Sequence, residues 1–258
     1  MGVCDAAGES APSLFAAVAR EAEPRLGEFK SQALANTAWA FATAGERALS
    51  LFAAVAREAE PRLGEFNSQA LANTAWAFAA ADVPSETFLS GPRFLEACAT
   101  TPNFAPDLHL RQFHQYSLWL DERSLPWPRL PEALAARCHA AFCAVEGRPS
   151  RLQRDVVASL KKLGLEPQEE VRTSHGYSLD AVMRVDGRDV AVEVDGPSHF
   201  VGRQPTGATM LKRRQLRAFG WPLLSVPFWE WEATKTSASR REYLERKLRE
   251  TLSGERPG

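Results

Sequence analysis

The stretch SLDAVMRVDGRDVAVEVDGPSHF (residues 178–200) decides the fold of the second half of the chain. Its centre, Asp186-Gly187, is a type I′ turn signal, because both residues tolerate positive φ, and it lies between two runs of alternating apolar and polar residues. If these two residues form the loop, Val185 faces Arg188, Met183 faces Val190, Ala181 faces Val192 and Leu179 faces Val194. That register collects the apolar side chains on one face. The other face then pairs Arg184 with Asp189, Val182 with Ala191, Asp180 with Glu193, and Ser178 with Asp195. Two facing carboxylates with a third one step along repel one another unless a cation or a shared proton lies between them. An oxygen-rich set of this kind suits Mg2+, Mn2+ or Ca2+ rather than zinc, and a Lys or Arg would serve electrostatically.

Working outward, Pro149-Ser150 opens a helix running through Leu163, apolar at Leu152, Val156, Leu160 and Leu163, with Gly164 as the stop. Beyond the hairpin, GATMLKRRQLRAFG (residues 207–220) reads as a helix over 209–219. Lys212, Arg213, Arg214 and Arg217 crowd its surface with no acidic residue one turn away, so the helix either meets phosphates or turns a cation inward to Asp180 and Glu193. WPLLSVPFWEW (residues 221–231) then supplies a strand over 223–226 and an aromatic end. There Trp229 and Trp231 are either core packing or a platform for stacked bases. SASRREYLERKLRETL (residues 237–252) closes the chain as a helix with Tyr243, Leu244, Leu248 and Leu252 inward.

The first half is a repeat. SLFAAVAREAEPRLGEFKSQALANTAWAFA (residues 13–42) recurs at 50–79 with one change, Lys30 becoming Asn67, at a period of 37 residues. Such a period indicates stacked helical hairpins. In the first unit one helix runs from Leu14 to Ala22, ended by Pro24, and a second begins after Ser31 and stops at Gly45. About three units are needed to bury a continuous core. Residues 83–145 supply the remainder, with helices over 108–122 and 130–146 in a capping role. The organisation expected is therefore an unstructured 1–12, a repeat region 13–148 (units 13–49 and 50–86, a divergent cap 87–148), and a second domain 149–258.

Charge divides in the same place. Residues 1–150 carry 12 Lys/Arg against 17 Asp/Glu, and residues 151–258 carry 19 against 15, so a near-neutral total of −1 hides an acidic half and a basic half. Four cysteines without CxxC spacing argue against a disulfide framework or a zinc site. No apolar run reaches the ~20 residues a membrane helix needs, so no membrane partner is expected.

The ALANTAWAFA helix resembles the octotricopeptide-type helical repeats of organellar RNA-binding proteins. That resemblance implies polar side chains facing RNA, here Asn36, Thr37, Asn73 and Thr74; the alternative is that they bridge within the stack. Residues 151–252 resemble the RAP domain of the same class of proteins. The resemblance is carried by 177–181, 193–200, Thr209 with Leu211, Lys212, Arg213, Arg214 and Leu216, Gly220, and 227–231. It implies an α/β core similar to restriction endonucleases and very-short-patch repair nucleases, following an α-solenoid: an α plus α/β chain overall.

In those nucleases an Asp precedes Glu-x-Lys by about a dozen residues. Asp180 and Glu193 fit, but Asp195 stands where the catalytic Lys would act on the attacking water, leaving His199 or Lys212 to replace that base. Three functions follow as expectations. The first is an RNA-binding protein of the mitochondrion or chloroplast, acting on single-stranded RNA in processing, stability or translation. It would use Lys212, Arg213, Arg214, Arg217, Trp229, Trp231, Asn36 and Asn73, and work beside other proteins of RNA-processing complexes. The second is a Mg2+- or Mn2+-dependent endoribonuclease using Asp180, Glu193, Asp195, His199 and Lys212. The third is a helical-repeat scaffold for other proteins.

Overall fold

The computed structural model describes residues 6–100, 107–145 and 147–254, with side chains from residue 14 onward. Of the segment expected to be unstructured, residues 1–5 lie outside the described residues, and residues 6–12 are instead the start of a helix. By their internal contacts the residues form two units: 1–144 with 200–211, and 145–199 with 212–258. The division falls inside one helix, between Leu211 and Lys212.

The first unit is helical: α1 (Ala6–Ala22), α2 (Ser31–Ala44), α3 (Leu49–Ala59), α4 (Ser68–Ala81), α5 (Glu86–Leu89), α6 (Pro92–Thr100), α7 (Asp107–Glu122) and α8 (Glu132–Cys143). Pro24 and Pro61 do what an X-Pro pair does to a helix: the chain tightens into 3₁₀ turns over Glu23–Glu28 and Glu60–Glu65 before each second helix. Gly45 ends α2 at φ 82°, the left-handed conformation a glycine adopts without strain. The one residue that differs between the repeats falls at a helix cap. Asn67 accepts the Ala70 backbone N–H at 2.8 Å, whereas Lys30, at the same position, caps nothing. Helix α4 packs against both α2 and α7, and nearly all its residues are buried. Its near-identical twin α2 keeps Trp39 40% exposed where Trp76 is only 5% exposed. Residues 200–211, including a two-stranded ribbon of β4 (Phe200–Val201) and β5 (Gln204–Pro205), belong with this unit, and Leu211 joins its core.

The second unit contains α9 (Arg151–Lys162), β1 (Gln168–Arg172), β2 (Ser178–Val185), β3 (Arg188–Asp195), α10 (Gly207–Ala218, its part from Lys212 on), β6 (Leu223–Pro227), α11 (Phe228–Ala233) and α12 (Ser237–Ser253). Ser150 caps α9 by accepting the Gln153 N–H at 3.0 Å, and a reciprocal pair of bonds between Thr236 and Ser239 opens α12. The sheet order is β1-β2-β3-β6, antiparallel except for the parallel β3–β6 pair. Asp186 and Gly187 both take positive φ, 48° and 78°, and the ladder from Val185↔Arg188 to Ala181↔Val192 has the register their turn type dictates.

One face of the sheet is apolar. Ala181, Met183, Val190, Val192, Val194, Leu224 and Val226 pack with Val156 and Leu160 of α9 and Leu244 and Leu248 of α12. Strand β3 lies between β2 and β6 and is buried on both faces from Val190 to Asp195. The chain is thus α plus α/β: repeats of helices, then a mixed sheet with helices. Among the described residues no helix is long and apolar enough to cross a membrane.

Candidate functional site: a buried acid–cation cluster

The face of β3 away from the apolar core carries Ala191, Glu193 and Asp195, with Ser225 beside Glu193 on the parallel neighbour β6. Two carboxylates on a central strand need partners, and α10 supplies them. Lys212 Nζ lies 2.6 Å from Glu193 Oε2 and donates to the Ser178 carbonyl at 2.8 Å. An Arg213 amino group donates to Asp195 Oδ2 at 2.6 Å and to Ser225 Oγ at 2.7 Å, and Ser225 in turn donates to Asp195 Oδ2 at 2.7 Å. His199 Nδ1 lies 3.3 Å from the other Asp195 oxygen. The successive residues Lys212 and Arg213 therefore answer the alternating residues Glu193 and Asp195.

The expected facing of Asp180 with Glu193, and of Ser178 with Asp195, is not realised as ladder pairs. The β2–β3 pairing ends at Ala181↔Val192. Past that point Asp180 bends across the gap with its side chain, and its Oδ2 accepts the Val194 backbone N–H at 2.7 Å. A backbone donor that a ladder carbonyl would have taken is thus satisfied by one carboxylate oxygen.

The electrostatics follow burial. Glu193 is pushed up to about 7, first by burial, then by the nearby Asp180 and Asp195, against the pull of Lys212. Its second oxygen, Oε1, is buried with no hydrogen-bond partner, which disfavours the ionised form further. Asp180 is also raised by burial, offset in part by the Val194 N–H and Lys212. Asp195 goes the other way: burial would raise it, but the hydrogen bonds from His199, Arg213 and Ser225, with the Arg213 charge, outweigh that and hold it below the usual range. His199 is raised by its bond to Asp195.

A divalent metal does not fit this arrangement. Among the described residues no group of three or more His, Cys, Asp or Glu is placed to hold a metal ion. One oxygen each of Asp180 and Glu193 and both of Asp195 already face the Val194 amide, Lys212, Arg213, Ser225 and His199, while Glu193 Oε1 has no hydrogen-bond partner. The structure places Asp180, Glu193 and Asp195, expected as a Mg2+ or Mn2+ site, in an internal network of ion pairs and hydrogen bonds.

Other expected sites separate in the same way. Lys212 and Arg213 are committed to the sheet and are not phosphate-facing; Arg214 is half-buried and Arg217 exposed. Trp231 is a core residue, 2% exposed, its indole N–H donating to Asp155 Oδ2 at 3.1 Å and Arg240 lying over its ring, so it offers no stacking platform. Trp229 is half-buried and edge-on to Phe228.

In the repeats Asn73 is buried and sits in an amide chain, donating to Asn36 at 3.4 Å and accepting from Gln112 at 3.0 Å. It bridges within the stack. Thr37 and Thr74 bond back to the carbonyls of Ala33 and Ala70. Asn36 is exposed. The residues unforeseen from sequence are Ser225 and Gln153; the latter donates to Glu170 at 2.8 Å and to the Asp180 carbonyl at 3.1 Å. Ser225 had a signal, a lone hydroxyl within the apolar LLSVP, whereas Gln153 lies among the polar residues of an amphipathic helix and had none.

A mixed sheet whose central strand carries buried acids answered by a cationic helix defines the class, an α/β module following helical repeats. Residues 192–247 match the RAP domain family, so the chain carries a RAP domain there. Over 101 residues it is 42% identical to the "RAP domain-containing protein, chloroplastic" of Oryza sativa subsp. japonica, covering 38% of this chain and 15% of that protein. The chain thus spans a small part of the length of the curated relative it matches.

Proposed function

We propose that this protein binds single-stranded RNA in an organelle and acts there in RNA processing, stability or translation. The RAP match over residues 192–247 carries the reading, and the word "chloroplastic" in the rice relative's name supports the chloroplast as the compartment. The geometry supports binding through the outer side of α10. Lys212 and Arg213 hold this helix on the sheet by ion pairs, while Arg217, about one turn on, is exposed and Arg214 half-exposed. Trp229 at the start of α11 is the aromatic candidate for base contact, and Asn36 the exposed amide of the repeats.

Charge reversal at Arg214 and Arg217 tests this. Anisotropy titrations of a labelled single-stranded RNA at several salt concentrations should show weaker binding and a salt slope reduced by roughly one to two, since each phosphate contact on a single strand contributes about 0.7. Unchanged affinity and slope in Arg214→Glu/Arg217→Glu would refute the α10 interface. Absence of RNA binding by the wild-type chain would refute the function itself.

A further inference from the structure

Leu14 and Val18 are 62% and 43% exposed, yet their counterparts one repeat later, Leu51 and Val55, are both 0% exposed in a segment of the same sequence. Identical local sequence excludes propensity or patterning as the cause; the difference is what lies against the helix. In the second repeat, Leu51, Val55 and Glu58 follow i, i+4, i+7 spacing along one side of α3. That side meets the first repeat: α3 packs on α1 and on the 3₁₀ turn Glu23–Glu28, Ser50 donates to Glu23 Oε1 at 2.6 Å, and Glu58 reaches Gly27. The first repeat is thus the lid over Leu51 and Val55. Its own Leu14 and Val18, carried on the equivalent side of α1, are a matching face without a lid among the described residues.

We propose that the Leu14–Val18 face of α1 is a docking surface for one further helical-hairpin unit, one presenting an alanine-lined helix followed by a 3₁₀ turn that carries a proline. The chemistry of that occupant is given by the contact already made inside this chain. Alanines let the helices approach closely, the turn packs on the helix that carries the leucine and valine, and a glycine within the turn leaves room for the glutamate that follows them. A second copy of the chain fits poorly, because both its surfaces of this kind are already covered: α1 with the Glu23–Glu28 turn by its own α3, and α3 with the Glu60–Glu65 turn by its own α5 and α6. This inference does not depend on the RNA-binding reading and is tested without RNA.

Two arms test it. A fluorescently labelled peptide of sequence 13–49 is titrated with the intact chain and with Leu14→Glu/Val18→Glu, which alters exposed positions and should leave the thermal melt unchanged. Saturable binding weakened at least about tenfold in the variant supports the proposal. Equal binding by both overturns it. In the second arm one extra copy of residues 13–49 is fused ahead of Ser13, so that affinity and the peptide's own folding no longer decide the outcome. Amide exchange over 14–22 should then slow relative to the parent chain, and should not slow in the same fusion carrying the two glutamates. No binding in the first arm together with no protection in the second overturns the proposal. So does self-association of the chain alone that the glutamates abolish, since the occupant would then be a second copy.

Discussion

Replacing Glu193 by Gln should make the second unit more stable at pH 8 than the wild type, although it removes half of a 2.6 Å ion pair. The carboxyl is raised from an ordinary 4.5 to about 7 because burial penalises its charge more than Lys212 rewards it. The folded state therefore holds this proton more tightly than the unfolded state, and folding takes up a proton between these two values. The stability this carboxyl contributes is full below about pH 4.5 and is lost as pH rises through about 7. At about 1.4 kcal/mol per pKa unit the whole loss is roughly 3 kcal/mol. Between pH 5 and pH 8 it is about 2–3 kcal/mol.

Gln keeps a carbonyl oxygen for Lys212 and carries no charge to bury, so it is free of this dependence. The difference in stability, variant minus wild type, should therefore grow by that amount from pH 5 to pH 8. In urea, with slopes of about 1–3 kcal/mol per molar, it appears as a midpoint shift of roughly 1–2 M. Exchange of the Val190–Val194 backbone amides, followed through urea titrations at both pH values, confines the measurement to this sheet. A difference that stays constant with pH, or shrinks as pH rises, would refute the argument that burial outweighs the ion pair.

Lys30→Asn should transfer to the first repeat the cap that Asn67 gives the second, raising helix stability by about 0.5–2 kcal/mol and, with it, the melting temperature by calorimetry. Trp231→Ala should destabilise the second unit by about 3–5 kcal/mol in chemical denaturation, because it empties a core position and leaves Asp155 and Arg240 without the indole. Trp229→Ala, at a half-buried position, should cost much less. Asp195→Asn should lower the His199 pKa towards its ordinary value, read from the imidazole resonances in an NMR titration, because the Asp195 hydrogen bond is the largest cause of its rise. An unmoved His199 titration would place the cause elsewhere.

The parts of the fold legible in the sequence are those governed by short-range rules. The Asp186-Gly187 turn needs positive φ at two adjacent residues, and that requirement alone sets the hairpin register. Proline after Ala22 and glycine after Ala44 bound the repeat helices for equally local reasons. Strand β1 was not legible, because QEEVR is mostly exposed on the sheet edge and shows no apolar alternation. Register also misleads at its end: alternation continues to Asp195 in sequence, but the ladder stops where Asp180 places its carboxylate on the Val194 amide. No local rule separates a side chain that continues a pleat from one that replaces a backbone acceptor.

The acid cluster shows why a run of like charges cannot be assigned to solvent or to ligand by counting. Lys212, Arg213, Arg214 and Arg217 look equivalent along the sequence, but a helix turns by about 100° per residue. Lys212 and Arg213 reach the sheet, at 25% and 16% side-chain exposure, while Arg214 is half-buried and Arg217 exposed. The paired residues are adjacent, whereas the acids they answer are two apart on a strand, which brings both of those carboxylates to one face. One cation per acid then neutralises Glu193 and Asp195 without any exogenous ion. Asp180 remains outside these two pairs, and a backbone N–H is enough for it because it is less buried than Glu193. An acidic strand that resembles a metal site in one dimension is in three dimensions the means by which a cationic helix is held on its sheet.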